Sequence, residues 1–123
     1  MLLTSFTVLL TAALIGIVLG AMHLAAGRAV RVPWPAWVLH GLLGATGLAI
    51  LLLGLRGPPR GVAMGVSGFG RFAAVVLVAA LLVGLVILSG RLRRRPVSVL
   101  TLGLHATLAI GGVVVLAAYV AMG

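Results

Sequence analysis

At 123 residues, 63% of them apolar and with a mean hydropathy of +1.39, the chain has the composition of an integral membrane protein. Nine arginines set the net charge at +9, and Asp, Glu, Lys and Cys are all missing. That inventory excludes disulfides, Cys-ligated iron–sulfur clusters, thiolate zinc sites and haem attached through Cys-x-x-Cys-His, and leaves three imidazoles, the arginines, a few hydroxyls and bound cofactors for any chemistry.

A transmembrane helix needs about 20 apolar residues, and four such runs account for most of the chain. The first spans 4–26 and ends at Gly27-Arg28. Its leading segment, Met1 to Ser5, carries no positive side chain and the apolar run is long, so a mature helix is expected rather than a cleaved signal peptide. The second run, 34–55, follows Val32-Pro33-Trp34-Pro35 and is broken by Arg56-Gly57-Pro58-Pro59-Arg60. Gly61 to Gly70 is apolar but glycine-rich, which predicts a loop or a short surface segment. The third run, 71–89, ends at Ser89-Gly90, and the fourth, 97–122, follows Arg91-Leu92-Arg93-Arg94-Arg95-Pro96. Pro33, Pro35 and Pro96 suit helix starts, where a missing N–H costs nothing, and Trp34 and Trp37 suit an interfacial belt. The expected fold is therefore all-α: one membrane domain over 1–123, a bundle of four transmembrane helices.

The first and third connections hold Arg28, Arg31, Arg91, Arg93, Arg94 and Arg95, whereas the opposite face has only Arg56, Arg60 and Arg71. By the positive-inside rule both termini lie outside, which in a bacterial inner (cytoplasmic) membrane means the periplasm. Arginines placed between apolar runs answer to topology and anionic lipid headgroups, so membrane lipids, and not nucleic acid, are the expected partners.

Aligning His40 with His105 pairs HGLLGATG (40–47) with HATLAIGG (105–112), and each half carries Gly-Arg, a basic turn and a proline upstream. This predicts two helical hairpins related as a parallel repeat about an axis along the membrane normal. Low-complexity apolar sequence also produces chance matches, so coincidence remains the alternative. Counting back from the Gly-Arg pairs, the equivalent of His23 is Val86. All three histidines fall in the arginine-rich half of the membrane.

An ionisable residue at membrane depth is a functional-site hypothesis by default. His40, Gly44 and Gly47 share one helical face, as do His105, Ala109 and Gly112. Small residues one and two turns from each imidazole would leave room for a flat macrocycle, and neutral imidazole is an axial ligand of haem iron. The expectation is one haem b held by His40 and His105, with arginines of the same end near its propionates. His23 is expected as a propionate partner, a quinone-site hydrogen bonder or a structural residue. Against this stands the purely structural alternative: small-xxx-small faces pack membrane helices without any cofactor, and a lone histidine bonds a neighbouring helix. A zinc or copper site made by the three histidines would leave the ion's charge uncompensated, and Thr46, Thr101 and Thr107 are too few to line a transport path.

On these two histidine-bearing segments the chain resembles small bacterial membrane b-type cytochromes, in the style of cytochrome b561-like proteins and the haem-bearing anchor subunits of respiratory dehydrogenases. The resemblance implies haem b, electron transfer with quinol, and other membrane subunits of a redox complex as partners, with the chain an electron-transfer or accessory subunit rather than a stand-alone enzyme. Cytochrome b561-like proteins commonly bind two haems through four histidines. Three histidines here support one bis-histidine haem. The second expectation is a cofactor-free accessory subunit of a larger membrane complex. Four-helix multidrug exporters are similar in length, but they depend on a membrane-embedded glutamate that this chain lacks.

Overall fold

The structure, a computed structural model, describes residues 1–26 and 33–123. Gly27, Arg28, Arg31 and Val32, named above in the first basic turn, lie outside the described residues. Four helices and no strand occur among the described residues: α1 (Leu2–Ala26), α2 (Trp34–Gly54), α3 (Phe69–Leu92) and α4 (Val99–Met122), each long and apolar enough to cross a membrane.

Most boundaries follow from local chemistry. Pro33 caps α2 and Pro35 occupies its first turn, as the pre-set φ of proline favours. Pro96 does not start α4. Ser98 caps it instead, its side chain accepting the Leu100 N–H at 3.2 Å, and Pro96 belongs to the preceding turn. Nor do Ser89 and Gly90 stop α3, which continues to Leu92. It ends in a Schellman turn, where Arg94 N–H donates to Arg91 O and Arg95 N–H to Gly90 O. Arg94 occupies the left-handed position at φ 56, where glycine is usual, at a cost of about 1–2 kcal/mol. The segment between α2 and α3 folds through tight turns at Gly61 and Gly65, both at φ 69, and tucks Val66 into the bundle.

α1 pairs with α2 and α3 with α4 as tight hairpins, and lesser α1–α4 and α2–α3 contacts close a four-sided bundle with α1/α3 and α2/α4 on the diagonals. Leu14, Val18, Leu42, Val75, Leu82, Val86 and Val114 are exposed and form an apolar, lipid-facing exterior.

The inward faces follow heptads. On α1 they are Leu2, Ser5, Leu9, Ala12, Gly16, Leu19 and His23, in steps of three and four residues; α3 repeats the pattern as Gly70, Ala73, Leu77, Ala80, Gly84, Ile87 and Arg91. Burial matches position by position, with only Gly16, His23, Gly84 and Arg91 half-buried. On α2 the seam runs Trp37, His40, Gly44, Gly47, Leu51, Gly54, and on α4 Leu102, His105, Ala109, Gly112, Leu116, Tyr119. A sustained 3.5-residue repeat gives knobs-into-holes packing. The two hairpins thus repeat each other's packing.

Lipid is as apolar as leucine, so the bundle gains from close backbone approach rather than from removing side chains from water. A Cβ on Gly47 would lie 2.7 Å from Leu9 Cγ, and one on Gly112 2.7 Å from Leu77 Cγ. The same two leucines therefore sit in the same two glycine seats. Two layers further out the sizes exchange: Leu2 of α1 covers Gly54 of α2, whereas Tyr119 of α4 covers Gly70 of α3. The densely buried core, including Leu51 and Leu116 at 0% exposure, fills the half of the bundle that holds the termini. The histidines lie toward the other half.

Candidate functional site

His40 and His105 each stand six residues past the first residue of their helices, about 9 Å in from the helix ends at 1.5 Å per residue. They come from the diagonal helices α2 and α4, and their rings meet across the bundle axis with centroids 6.0 Å apart and planes at 81°. Each ring is seated on its hairpin partner. His40 Nδ1 donates to Ala12 O at 2.9 Å and His105 Nδ1 to Ala80 O at 2.8 Å.

Those bonds exist because α1 and α3 carry glycine one turn beyond the accepting carbonyl. A Cβ on Gly16 would lie 2.6 Å from His40 Cε1, and one on Gly84 3.0 Å from His105 Cε1. A carbonyl can only accept, so each Nδ1 must carry the proton. In the neutral ring Nε2 then keeps its lone pair, the arrangement that histidines use when they ligate a metal. No hydrogen bond engages either Nε2 within the described residues. The site thus presents two matched acceptor nitrogens, tautomers fixed, in a half-buried layer of the bundle.

No family model, curated protein or solved structure matches this chain.

The small residues on the histidine faces divide into two kinds. Gly47 and Gly112 are filled by Leu9 and Leu77, so they are seats for α1 and α3; the sequence-based expectation of open space beside them is corrected. Gly44 and Ala109 occupy the layer between, together with Ala12 and Ala80, so all four helices contribute small residues there. Gly44 is half-buried, yet a Cβ on it would meet nothing within 4 Å. Gly20, one turn beyond Gly16, is likewise half-buried and open.

His23 does not join the pair, and no three potential metal ligands cluster among the described residues. A tri-histidine metal site is therefore not built here. His23 instead lines a cleft at the arginine-rich end with Arg91, Arg94 and Arg95. Its packing counterpart on α3 is Arg91, not Val86, which is exposed. Sequence reasoning also passed over Gly16, Gly84, Ala12 and Ala80. Their signal was available: each pair repeats at the same offset that relates Leu9 to Leu77.

Proposed function

We propose that the protein is a small membrane b-type cytochrome-like electron carrier holding one haem b through His40 and His105. The observation that carries this reading is the meeting of two tautomer-fixed imidazoles on the bundle axis. A metal-bearing group at this layer would be held through the two Nε2 lone pairs, which no hydrogen bond engages among the described residues. The ring centroids stand 6.0 Å apart. The donor set fits haem iron, which takes its equatorial nitrogens from its own macrocycle and needs no carboxylate from a chain that has none. Gly44, one turn from His40, is half-buried, and a Cβ on it would meet nothing within 4 Å.

Haem b bound there would supply a one-electron couple. The chain's own residues do the rest: the Ala12 and Ala80 carbonyls hold the imidazoles in register and raise their basicity. The Gly16 and Gly84 seats keep both rings from rotating, and the apolar core on the terminal side limits water access. Quinol is the proposed exchange partner, and other subunits of a redox complex the proposed neighbours. We place the protein in a bacterial inner membrane with both termini periplasmic, because six of nine arginines fall in or beside the first and third connections of the sequence.

The test is a reduced-minus-oxidised absorption spectrum of protein purified from haem-replete membranes. A Soret shift and an α-band are expected, and His40→Ala or His105→Ala should each abolish the six-coordinate low-spin signal. A colourless protein would end the proposal. It would favour the second reading, a cofactor-free accessory subunit, which draws on the same contacts, since each ring already has a backbone partner and packs against the other.

A further inference from the structure

The arginine-rich end of the bundle contains an open cleft of about 470 Å³, lined by His23 of α1, Arg91 at the end of α3, and Arg94, Arg95, Pro96 and Val97 of the following turn. The chain supplies no side-chain carboxylate to neutralise three arginines gathered in one place. Their counter-charge must come from outside. Arg91 is fixed rather than free: its Cζ lies 3.7 Å over the Trp37 ring, and its Nε is buried with no hydrogen-bond partner among the described residues. A guanidinium over an indole face is held there by cation–π attraction, and its planar fork of donors is the group that grips phosphate.

Arg94 is held in place at a cost to the backbone. Arg94 occupies the left-handed position of the Schellman turn, where glycine would relieve the strain. Backbone strain kept at a position lining a basic cleft points from geometry to function. The cleft's depth matters as well. Arg91 is the penultimate residue of α3, and Trp34, exposed at the first position of α2, marks the same end of the bundle as interfacial. A group bound here lies at the level of lipid headgroups.

From these features we propose that the cleft is a binding site for the phosphodiester of an anionic phospholipid headgroup, gripped by Arg91, Arg94 and Arg95. The site is separate from the histidine pair and does not depend on any haem.

The test uses the full chain purified in neutral detergent, with phosphatidylglycerol, phosphatidylcholine or inorganic phosphate added and bound species counted by native mass spectrometry. Phosphatidylglycerol should be retained at one molecule per protein and should raise the melting temperature; phosphatidylcholine should do neither. Each arginine removed from the cleft should weaken phosphatidylglycerol binding about fivefold. Arg94→Gly is the informative variant, because relief of the positive φ should raise the melting temperature without lipid while binding falls. Arg93→Gln, outside the cleft lining, should bind as the parent does. Equal retention of the two lipids, or unchanged binding by the R91Q/R94G/R95Q variant, would overturn the proposal. Displacement of the lipid by inorganic phosphate alone would also overturn it, reassigning the cleft to a free anion.

Discussion

Gly16→Ala is a sharp perturbation of the histidine layer, because one added methyl acts on one identified ring. The new Cβ would stand 2.6 Å from His40 Cε1, and ordinary contact begins at 3.4 Å. The imidazole must therefore retreat by about 0.8 Å, which takes Nδ1 from 2.9 Å toward ~3.7 Å from Ala12 O, beyond hydrogen-bond range. Overpacking of this kind costs about 1–3 kcal/mol, and the lost bond about 0.5–1.5 kcal/mol. The gain in helix propensity returns about 0.8–1.0 kcal/mol. The net expectation is destabilisation by roughly 0.5–4 kcal/mol. Gly84→Ala should follow the same course more mildly, since its Cβ would begin at 3.0 Å from His105 Cε1. Gly20→Ala, one turn along the same helix and facing open space, should be neutral or stabilising by up to about 1 kcal/mol. Reversible unfolding in mixed micelles, followed by fluorescence of Trp34 and Trp37, measures all three. A Gly16→Ala protein as stable as the parent, or a Gly20→Ala protein that falls equally far, would refute the glycine-seat argument.

Other expectations come from the repeat. Ser5, at 0% exposure, donates to Gly47 O at 3.1 Å, whereas its counterpart Ala73, also at 0%, makes no such bond. Ser5→Ala should cost no more than about 1 kcal/mol in the same unfolding assay, because the Gly47 carbonyl keeps its helical partner. Trp37→Leu, which copies Leu102 of the second hairpin, should remove the stacking of Arg91 and destabilise by about 0.5–2 kcal/mol, with a larger effect at low salt. Gly70→Leu should be strongly destabilising beside Tyr119, and addition of Tyr119→Gly should restore part of the loss by recreating the Leu2–Gly54 arrangement. A double-mutant cycle should show a coupling of about 1–3 kcal/mol.

The four helices were legible because membrane spans are written as long apolar runs, and nothing in this chain blurs them. Boundaries were less legible where two signals competed. Pro96 looks like a helix start, but the Ser98 side chain satisfies the first free N–H of α4, and that bond sets the boundary. The two matched histidines were visible as a sequence pair, but the role of each nearby glycine was not. A glycine declares that something comes close without naming it: Gly47 and Gly112 receive leucines, whereas Gly44 faces open space. Val86 was misassigned as the partner of His23 because aligning the Gly-Arg pairs presumes matching turns. The packing repeat of α1 and α3 has its own offset, fixed by the leucines and glycines of their inward faces. Gly16 and Gly84 escaped notice because their purpose depends on a ring from another helix.

Because each hairpin offers its neighbour nearly the same ridge of knobs and pockets, the molecule contains two interchangeable halves joined by a single connection. In a crowded bilayer, nothing in such a seam distinguishes a hairpin of the same polypeptide from the corresponding hairpin of another. Exchange of halves between copies is accordingly the natural route by which this small bundle would form a dimer. The exchange of sizes at Leu2–Gly54 and Gly70–Tyr119 lies, in each case, between the two helices of one hairpin, and so would travel with it.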